Sequence, residues 1–514
     1  MLGNRTKRTL QNTSTSIILL LVQIVVGFYS RKIFLNELGD ELIGINTTLG
    51  NILSFLNLAE LGIGTAMATS LYKPLHSNDY KTICEIITVQ GILYKRIAFV
   101  LCICSIPILI YIPSFFPNTE CSLLYIYIAY IVFLWGSISS YLWNYRQVLI
   151  AADQKFYKIS IWIQVLRYLK IFFQLYFLLY TNTGIWGWIG FEFLGSTLTI
   201  FAINHVLHKE YPWLQKIEKE HHYFFHKYHH IIIKTKQLFV HQIATFVLEQ
   251  TAPLIIYYFV SLSMVTYYGN YMIIVGYIAS LLNGVFGGVG ASIGSLVAEN
   301  NKSNTLKIYN ELFTSRLWIS AIVCFVLFLS MEPFISLWIG EKYVLGKTTL
   351  ILIILGLFIR TTRTIIESFK TAFQLFGDVW APIAEAVLNL VGSIVFGAIW
   401  GLNGILLGVN TSLIIIVLIW KPYYTFSKGF HTPWINYYIH YALHLIIFLL
   451  CAWATIYITN LFSLPQNNFY ELSFYIFIIG LTYSILSFLI LFLLFKGMRD
   501  FTTRALRILH IKVK

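Results

Sequence analysis

Apolar runs of membrane-spanning length follow one another along this chain with hardly a pause, as in LSFYIFIIGLTYSILSFLILFLLF (residues 472–495). Each is long enough for the roughly 20 residues that a bilayer-crossing helix needs. Lipid offers backbone groups no water, so such segments must be helices or the strands of a closed barrel. Barrel strands alternate apolar and polar residues, and these runs do not. The expected fold class is therefore an all-α polytopic membrane protein. Composition agrees: 58% of the 514 residues are hydrophobic and only 11% charged, with a mean hydropathy of +0.72. A soluble fold could not cover itself with so little polar surface. The short basic N-terminus precedes residues 17–34, which lack a small-residue cleavage site, so the first span is expected to be retained.

Breaking the runs at polar, Gly and Pro punctuation predicts about 14 spans by the 20-residue criterion: 11–34, 41–71, 84–112, 121–147, 158–180, 184–207, 237–261, 265–298, 310–331, 345–373, 379–400, 402–421, 434–461 and 472–495. Alternate connections are basic. They carry Arg5, Lys7 and Arg8; Lys73, Lys81, Lys95 and Arg96; Arg146, Lys155 and Lys158; six lysines from Lys209 to Lys236; Lys302, Lys307 and Arg316; Arg360, Arg363 and Lys370; Lys421 and Lys428; and six more from Lys496 to Lys514. These are 30 of the 36 Lys and Arg residues, and the positive-inside rule puts that side, with both termini, in the cytoplasm. The opposite connections are short and nearly uncharged. The net charge of +14 thus reflects topology and anionic inner-leaflet lipids, and calls for no nucleic acid.

A shift of 225 positions aligns residues 44–71 with 269–296, matching Gly44 to Gly269, Gly62 to Gly287 and Ser70 to Ser295. Six spans separate the copies, so they would have parallel topology. The expected organisation is two six-helix lobes, residues 1–207 and 237–421, joined by a cytoplasmic linker (208–236). A terminal helix pair (422–495) and a basic cytoplasmic tail (496–514) follow.

Four cations remain inside hydrophobic segments: Arg31, Lys32, Arg167 and Lys170. Gln164, Arg167, Lys170 and Gln174 recur at spacings that keep them broadly on one helical face, and no Asp or Glu lies between Gln154 and Phe191 to pair with them. Charge at mid-membrane costs at least about 2.5 kcal/mol per residue, so such groups face a polar path or a partner. Arg167 lies about ten residues, roughly 15 Å, from the cytoplasmic helix end, too far to snorkel easily. These residues are therefore candidates for a cationic cavity, joined by Arg31 (on a stripe with Gln23 and Gly27) and Asn57. The intramembrane acids Glu60, Glu249 and Glu385 are read as interhelical ion pairs or as proton- or ion-coupling groups, with His241 and Asn389 as further cavity candidates. Glu192, near an outer helix end, and Glu367, beside a basic loop, read as interfacial.

HHYFFHKYHH (residues 221–230) places His222, His226 and His229 or His230 on one helical face. It has no interleaved carboxylate or cysteine, so an interfacial amphipathic helix is expected rather than a metal site. The six cysteines show neither zinc spacing nor an obvious disulfide pair. No Walker loop is present, and the outer loops are too short to hold the donor and metal that an envelope glycosyltransferase or polymerase requires. The expectation is binding and movement, without enzymatic chemistry or a cofactor, driven where needed by a proton or sodium gradient.

The stretches ELGIGTAMATSLYKPLHSND (60–79), YPWL (211–214), KQLFVHQIA (236–244) and TYYGNYMIIVG (266–276) resemble the polysaccharide transport family of Wzx-type flippases, in the superfamily of multidrug, oligosaccharidyl-lipid and polysaccharide exporters. The resemblance runs over the whole chain and implies two six-helix bundles around a central cavity plus a terminal pair. It implies transport of undecaprenyl-pyrophosphate-linked oligosaccharide repeat units from the cytoplasmic to the outer leaflet of the bacterial inner membrane, for O-antigen, capsule or related polymers. A polysaccharide polymerase and glycosyltransferases would be partners. The residues matching the family are Arg31, Glu60, His241 and Glu385. Near LEQTAPLII relatives often carry an acid followed by apolar residues, whereas here Glu249 precedes Thr251. The competing reading is an ion-coupled multidrug or metabolite antiporter of the same superfamily.

Overall fold

The structure is a computed structural model. It describes all residues except 1, 58–62, 118, 218–220, 287–292, 295, 298, 300, 376, 462–464 and 509–514. Glu60 and part of the second repeat copy lie outside the described residues.

The fold is all-α, as the hydropathy requires. The first unit, Met1–Thr266, contains α1 (Leu2–Leu56), α2 (Ile63–Ser77), α3 (Tyr80–Phe115), α4 (Leu123–Trp143), α5 (Gln147–Ala152), α6 (Tyr157–Tyr180), α7 (Gly184–Glu210), α8 (His221–Lys227) and α9 (His229–Phe259). Helix α10 (Leu262–Phe286) leads into the second unit, Tyr267–Lys514. There follow α11 (Lys302–Ile339), α12 (Lys347–Ala372) and α13 (Trp380–Ser412), the last continuing as π-helical turns through Leu413–Trp420, α14 (Lys421–Thr425) and Phe426–Phe430. Then come α15 (Ile435–Asn460), α16 (Phe469–Leu494) and α17 (Lys496–Ile508). The division falls after α9, which packs on α1 and α2 of the first unit.

Among the described residues, 11 helices are long and apolar enough to cross a membrane. Two of these runs are broken by backbone that only glycine adopts readily. Gly39 (φ 77°) interrupts α1, and Gly401 (φ 55°, ψ −133°) interrupts α13. At Gly401 the chain reverses, so the 51-residue run Trp380–Phe430 is a hairpin. Its two arms touch at glycines: a Cβ on Gly404 would sit 1.8 Å from the Phe396 carbonyl oxygen, and one on Gly408 would sit 2.3 Å from the backbone of Gly392 and Ser393. Without side chains at these points, backbone packs on backbone, the usual substitute for hydrophobic association between helices in lipid.

Helices that begin beside water are capped by side chains, because their first N–H groups lack intrahelical partners. Asp79 accepts from Thr82 N (3.1 Å) and Thr82 Oγ1 (2.6 Å) at the start of α3. These bonds favour the carboxylate and hold Asp79 below its usual pKa. Asn301 and Asn468 accept from Asn304 N and Glu471 N at the starts of α11 and α16.

The histidine-rich segment departs from expectation. Helix α8 is docked on the first unit instead of lying free in the interface. Phe224 and Tyr228 are buried in that unit's core, where Lys227 Nζ and Tyr228 Oη (2.6 Å) both donate to Glu85, itself fully buried on α3. The hydrogen bond to Glu85 raises the Lys227 pKa. A buried carboxylate needs such donors, and the sequence had shown the aromatic face of α8 without showing what it would cover. The basic tail is likewise folded: α17 buries Met498 and packs on α11. There Arg504 Nε reaches the buried Glu311 at 2.7 Å, and Gly497 allows close approach to the Asn310 carbonyl.

Candidate functional site

Helices α6 and α7 pair along their length, and this hairpin answers the question posed by the cations of α6. Lys170 is not without a partner: Nζ donates to both carboxylate oxygens of Glu192 on α7, at 2.7 and 2.9 Å. Gln174, 2% exposed, donates through Nε2 to Glu192 Oε2 (3.1 Å) and to the Trp188 carbonyl (3.0 Å). Gly195 is what lets the lysine lie down, since a Cβ there would stand 2.6 Å from Lys170 Cδ. Glu192 is therefore an internal counter-ion and not an interfacial acid. It lies one residue beyond the acid-free interval and on the next helix, where no local spacing links it to Lys170.

One turn earlier on α6, Arg167 is exposed, and among the described residues no carboxylate is in ion-pair contact with it. Gln164 is half-buried, with its Oε1 buried and without a hydrogen-bond partner. Helix α6 packs on α1, where the Tyr168 hydroxyl donates to the Leu19 carbonyl (3.1 Å). Arg31, on α1, is half-buried and lies three residues before Phe34, whose ring meets Trp188 edge-on at 6.3 Å. A cavity of about 390 Å³ lies among α1, α4 and α7, and its polar lining includes Ser54, Asn57, Ser137, Ser140, Glu192 and Ser196. Asn57 Oδ1 is buried there without a partner. The structure thus joins Lys170, Gln174 and Glu192 in one network and brings Asn57 to the same cavity as Glu192.

The second unit holds a second charged cluster. Lys421 Nζ lies 2.9 Å from Glu367 Oε1 and 3.2 Å from Glu385 Oε2. Arg363 approaches Glu367 Oε2 at 3.6 Å and Glu385 Oε1 at 3.7 Å. Two cations and two carboxylates, from α12, α13 and α14, balance one another, with the Glu385 side chain 3% exposed and Lys421 10%. One turn beyond Glu385, Asn389 is buried with neither Oδ1 nor Nδ2 hydrogen-bonded, and Ser393 Oγ donates to the Ile405 carbonyl (3.2 Å) across the hairpin. The sequence reading assigned Arg363 and Lys421 to cytoplasmic connections and Glu367 to the interface. All three instead belong to this network, which the packing of α12, α13 and α14 assembles. Arg316, also assigned to a connection, is likewise internal: it is 1% exposed and donates to the Thr361 carbonyl (Nε, 2.8 Å) and the Leu282 carbonyl (Nη1, 3.3 Å). The backbone of His241 and Glu249 is part of α9, but their side chains lie outside the described residues, as does Glu60.

If Lys170 and Glu192 act chiefly on each other, charge rather than residue type matters. Glu192→Gln is expected to destabilise the first unit by about 1–3 kcal/mol, the cost of leaving a partly buried cation without its counter-ion. Exchanging the pair (Lys170→Glu with Glu192→Lys) should recover a substantial part of that loss. Thermal unfolding of the detergent-solubilised protein measures both; equal destabilisation by the single and exchanged variants would refute the pairing.

No family model matches the sequence, and no curated protein matches it. Solved structures do. Lipid II flippase MurJ in an inward closed conformation superposes with a TM-score of 0.66 at 20% identity, covering 92% of this chain and 98% of that one. An inward-facing multidrug resistance MATE family transporter of the MOP superfamily gives 0.56 at 14% identity, over 80% and 98% of the two chains. The Vibrio cholerae MATE transporter VcmN in its bent form gives 0.52 at 12% identity, over 84% and 99%. At such identities the likeness is one of fold, and it extends over 80–92% of this chain and nearly the whole of the others. The chain is a multi-pass membrane protein with the fold shared by lipid II flippase MurJ and the MATE transporters of the MOP superfamily.

Proposed function

We propose that this protein is a flippase that carries an undecaprenyl-pyrophosphate-linked oligosaccharide from the cytoplasmic to the outer leaflet of the bacterial inner membrane by alternating access, for O-antigen, capsule or a related surface polysaccharide. The observation that carries the reading is the basic face of α6, with Arg167 exposed one turn from the Lys170–Glu192 pair. Guanidinium and ammonium groups give a pyrophosphate charge-assisted hydrogen bonds as it leaves water. Lys170 is held by Glu192, so an arriving anion competes with that carboxylate for the ammonium; Arg167 would make the first contact and Arg31 would share the load. The prenyl chain stays in lipid throughout. The hydroxyl-rich cavity beside Glu192 supports a polyhydroxylated cargo, since serine and asparagine side chains both donate to and accept from sugar hydroxyls.

The test is a proteoliposome loaded with a lipid-linked oligosaccharide, scored by the appearance of its sugar on the far side, with and without a proton or sodium gradient. Arg167→Gln should slow flipping by roughly ten- to a hundredfold, the worth of a charged hydrogen bond of about 1.5–3 kcal/mol, while the protein stays folded. Flipping at the unaltered rate in this variant would discard the proposal.

The Arg363–Glu367–Glu385–Lys421 cluster, with the unbonded Asn389 amide beside it, favours a second reading, an ion-coupled multidrug or metabolite antiporter. Gradient-driven export of an organic cation that depends on Glu385, without movement of lipid-linked sugar, would select it.

A further inference from the structure

We propose that a crevice on the inner-leaflet flank of the first unit, unconnected with the cations of α6, holds the headgroup of an anionic membrane phospholipid. Helix α3 has 36 residues, about 54 Å at 1.5 Å per residue, much more than the roughly 30 Å of a hydrocarbon core. Its charge-free part runs from Ile97 to Phe115, about 28 Å by the same rise. Lys95 and Arg96 immediately precede that part, so they stand where the hydrocarbon of the inner leaflet gives way to phosphates.

A third cation reaches them through the tertiary fold. After α7 the chain turns back across α3: Ile217 N donates to Thr88 Oγ1 (3.3 Å), and Tyr211 is buried in the same core as Ile83 and Ile87. Lys216 is thereby placed beside Lys95 and Arg96 around a cavity of about 520 Å³. Tyr145 forms part of its wall, drawn close because Gly91 has no side chain; a Cβ there would stand 3.0 Å from the tyrosine ring. Among the described residues, no Asp or Glu lines the cavity.

The other side of the crevice is apolar. Phe99 and Val100 line it, and Phe99 begins an exposed stripe with Ile103, Ile106 and Ile110, which are 50–67% exposed. Steps of four, three and four residues keep that stripe on one helical face. Three cations at headgroup depth, opening onto a continuous apolar track along the same helix, match a molecule with a phosphate at one end and an acyl chain at the other. A free phosphate would have no use for the track. Nor is this the path proposed for the transported lipid: α3 packs against α2 and α4, whereas α6 packs against α1 and α7.

The experiment uses the full-length protein in detergent, titrated with phosphatidylglycerol, phosphatidylcholine or inorganic phosphate, and read by native mass spectrometry and thermal unfolding. Phosphatidylglycerol is expected to be retained on the chain and to raise the unfolding midpoint, while phosphatidylcholine does neither. The triple variant Lys95→Gln, Arg96→Gln, Lys216→Gln should retain phosphatidylglycerol roughly a hundredfold more weakly, from the loss of three headgroup contacts. A control with the same loss of charge elsewhere (Lys342→Gln, Lys347→Gln, Lys428→Gln) should bind as the unaltered protein does. Phe99→Asn should weaken retention of the lipid with all three cations in place. Full retention by the triple variant, equal loss in the control, or a midpoint shift reproduced by inorganic phosphate alone would each overturn the proposal.

Discussion

Lys421→Met is expected to lower the stability of the second unit by about 3–5 kcal/mol, the range for removing one member of a buried ion pair. The ammonium is the nearest cation to both Glu367 and Glu385, at 2.9 and 3.2 Å, while Arg363 stays at 3.6 and 3.7 Å. Without it, two carboxylates share one distant guanidinium in a site where Glu385 is almost wholly enclosed. Methionine keeps the length and apolar character of the lysine stem, so lost packing contributes little. A second change, Glu385→Gln in the Lys421→Met background, restores charge balance and should recover at least half of the loss. Midpoints of thermal unfolding in detergent, assembled into a double-mutant cycle, give the coupling. Additive effects of the two substitutions would show that the cluster does not act as a unit.

The second large effect is steric. Gly408→Leu should abolish recovery of monodisperse protein, because the new Cβ would lie 2.3 Å from backbone atoms of Gly392 and Ser393. Ordinary overpacking of a core costs about 1–3 kcal/mol, since side chains can shift. Here the obstruction is main chain on the other arm of the hairpin, and relief requires the arms to part along their length. Gly404→Ala should be nearly as damaging, with the Phe396 carbonyl oxygen 1.8 Å from its Cβ. Gly50→Ala and Gly190→Ala are the controls. Both are helical positions with nothing within 4 Å of the added carbon, and they should be neutral or slightly stabilising, as alanine replaces glycine in a helix. Size-exclusion profiles of the solubilised variants decide the matter; a normal profile for Gly408→Leu would mean that the arms are not in backbone contact.

Some of this could be read from the chain alone, for physical reasons. A bilayer forces backbone hydrogen bonds to close within each segment, so runs such as 97–115 and 472–495 leave helix as the only solution that needs no partner. Glycines 39 and 401 fall between predicted spans, and the backbone leaves the helix at both. Helical spacing puts Asn389 and Ser393 one and two turns from Glu385, and that spacing holds along α13. What spacing could not supply was the identity of partners on other helices. Lys170 meets an acid 22 residues away, and Lys421 meets one 54 residues away. Hydropathy likewise read Arg316, Arg363 and Lys421 as loop cations, because it records how apolar a segment is and not how far its helix continues or which way a side chain turns. The same limit applied to α8, whose aromatic residues fit a bilayer interface or a protein core equally well until Glu85 was seen to receive Lys227 and Tyr228.

The sequence by itself determined that the chain crosses a membrane as helices, since that follows from local interactions with the solvent, lipid or water, and needs only near neighbours in the chain. Only the tertiary structure decided which charges are balanced, that Glu192 answers Lys170, that Lys421 joins Arg363, Glu367 and Glu385, and that Lys216 joins Lys95 and Arg96. Those outcomes depend on distances between helices, and such distances are set by packing: at Gly195, Gly404 and Gly408 an absent side chain admits a close approach that no period along the chain displays.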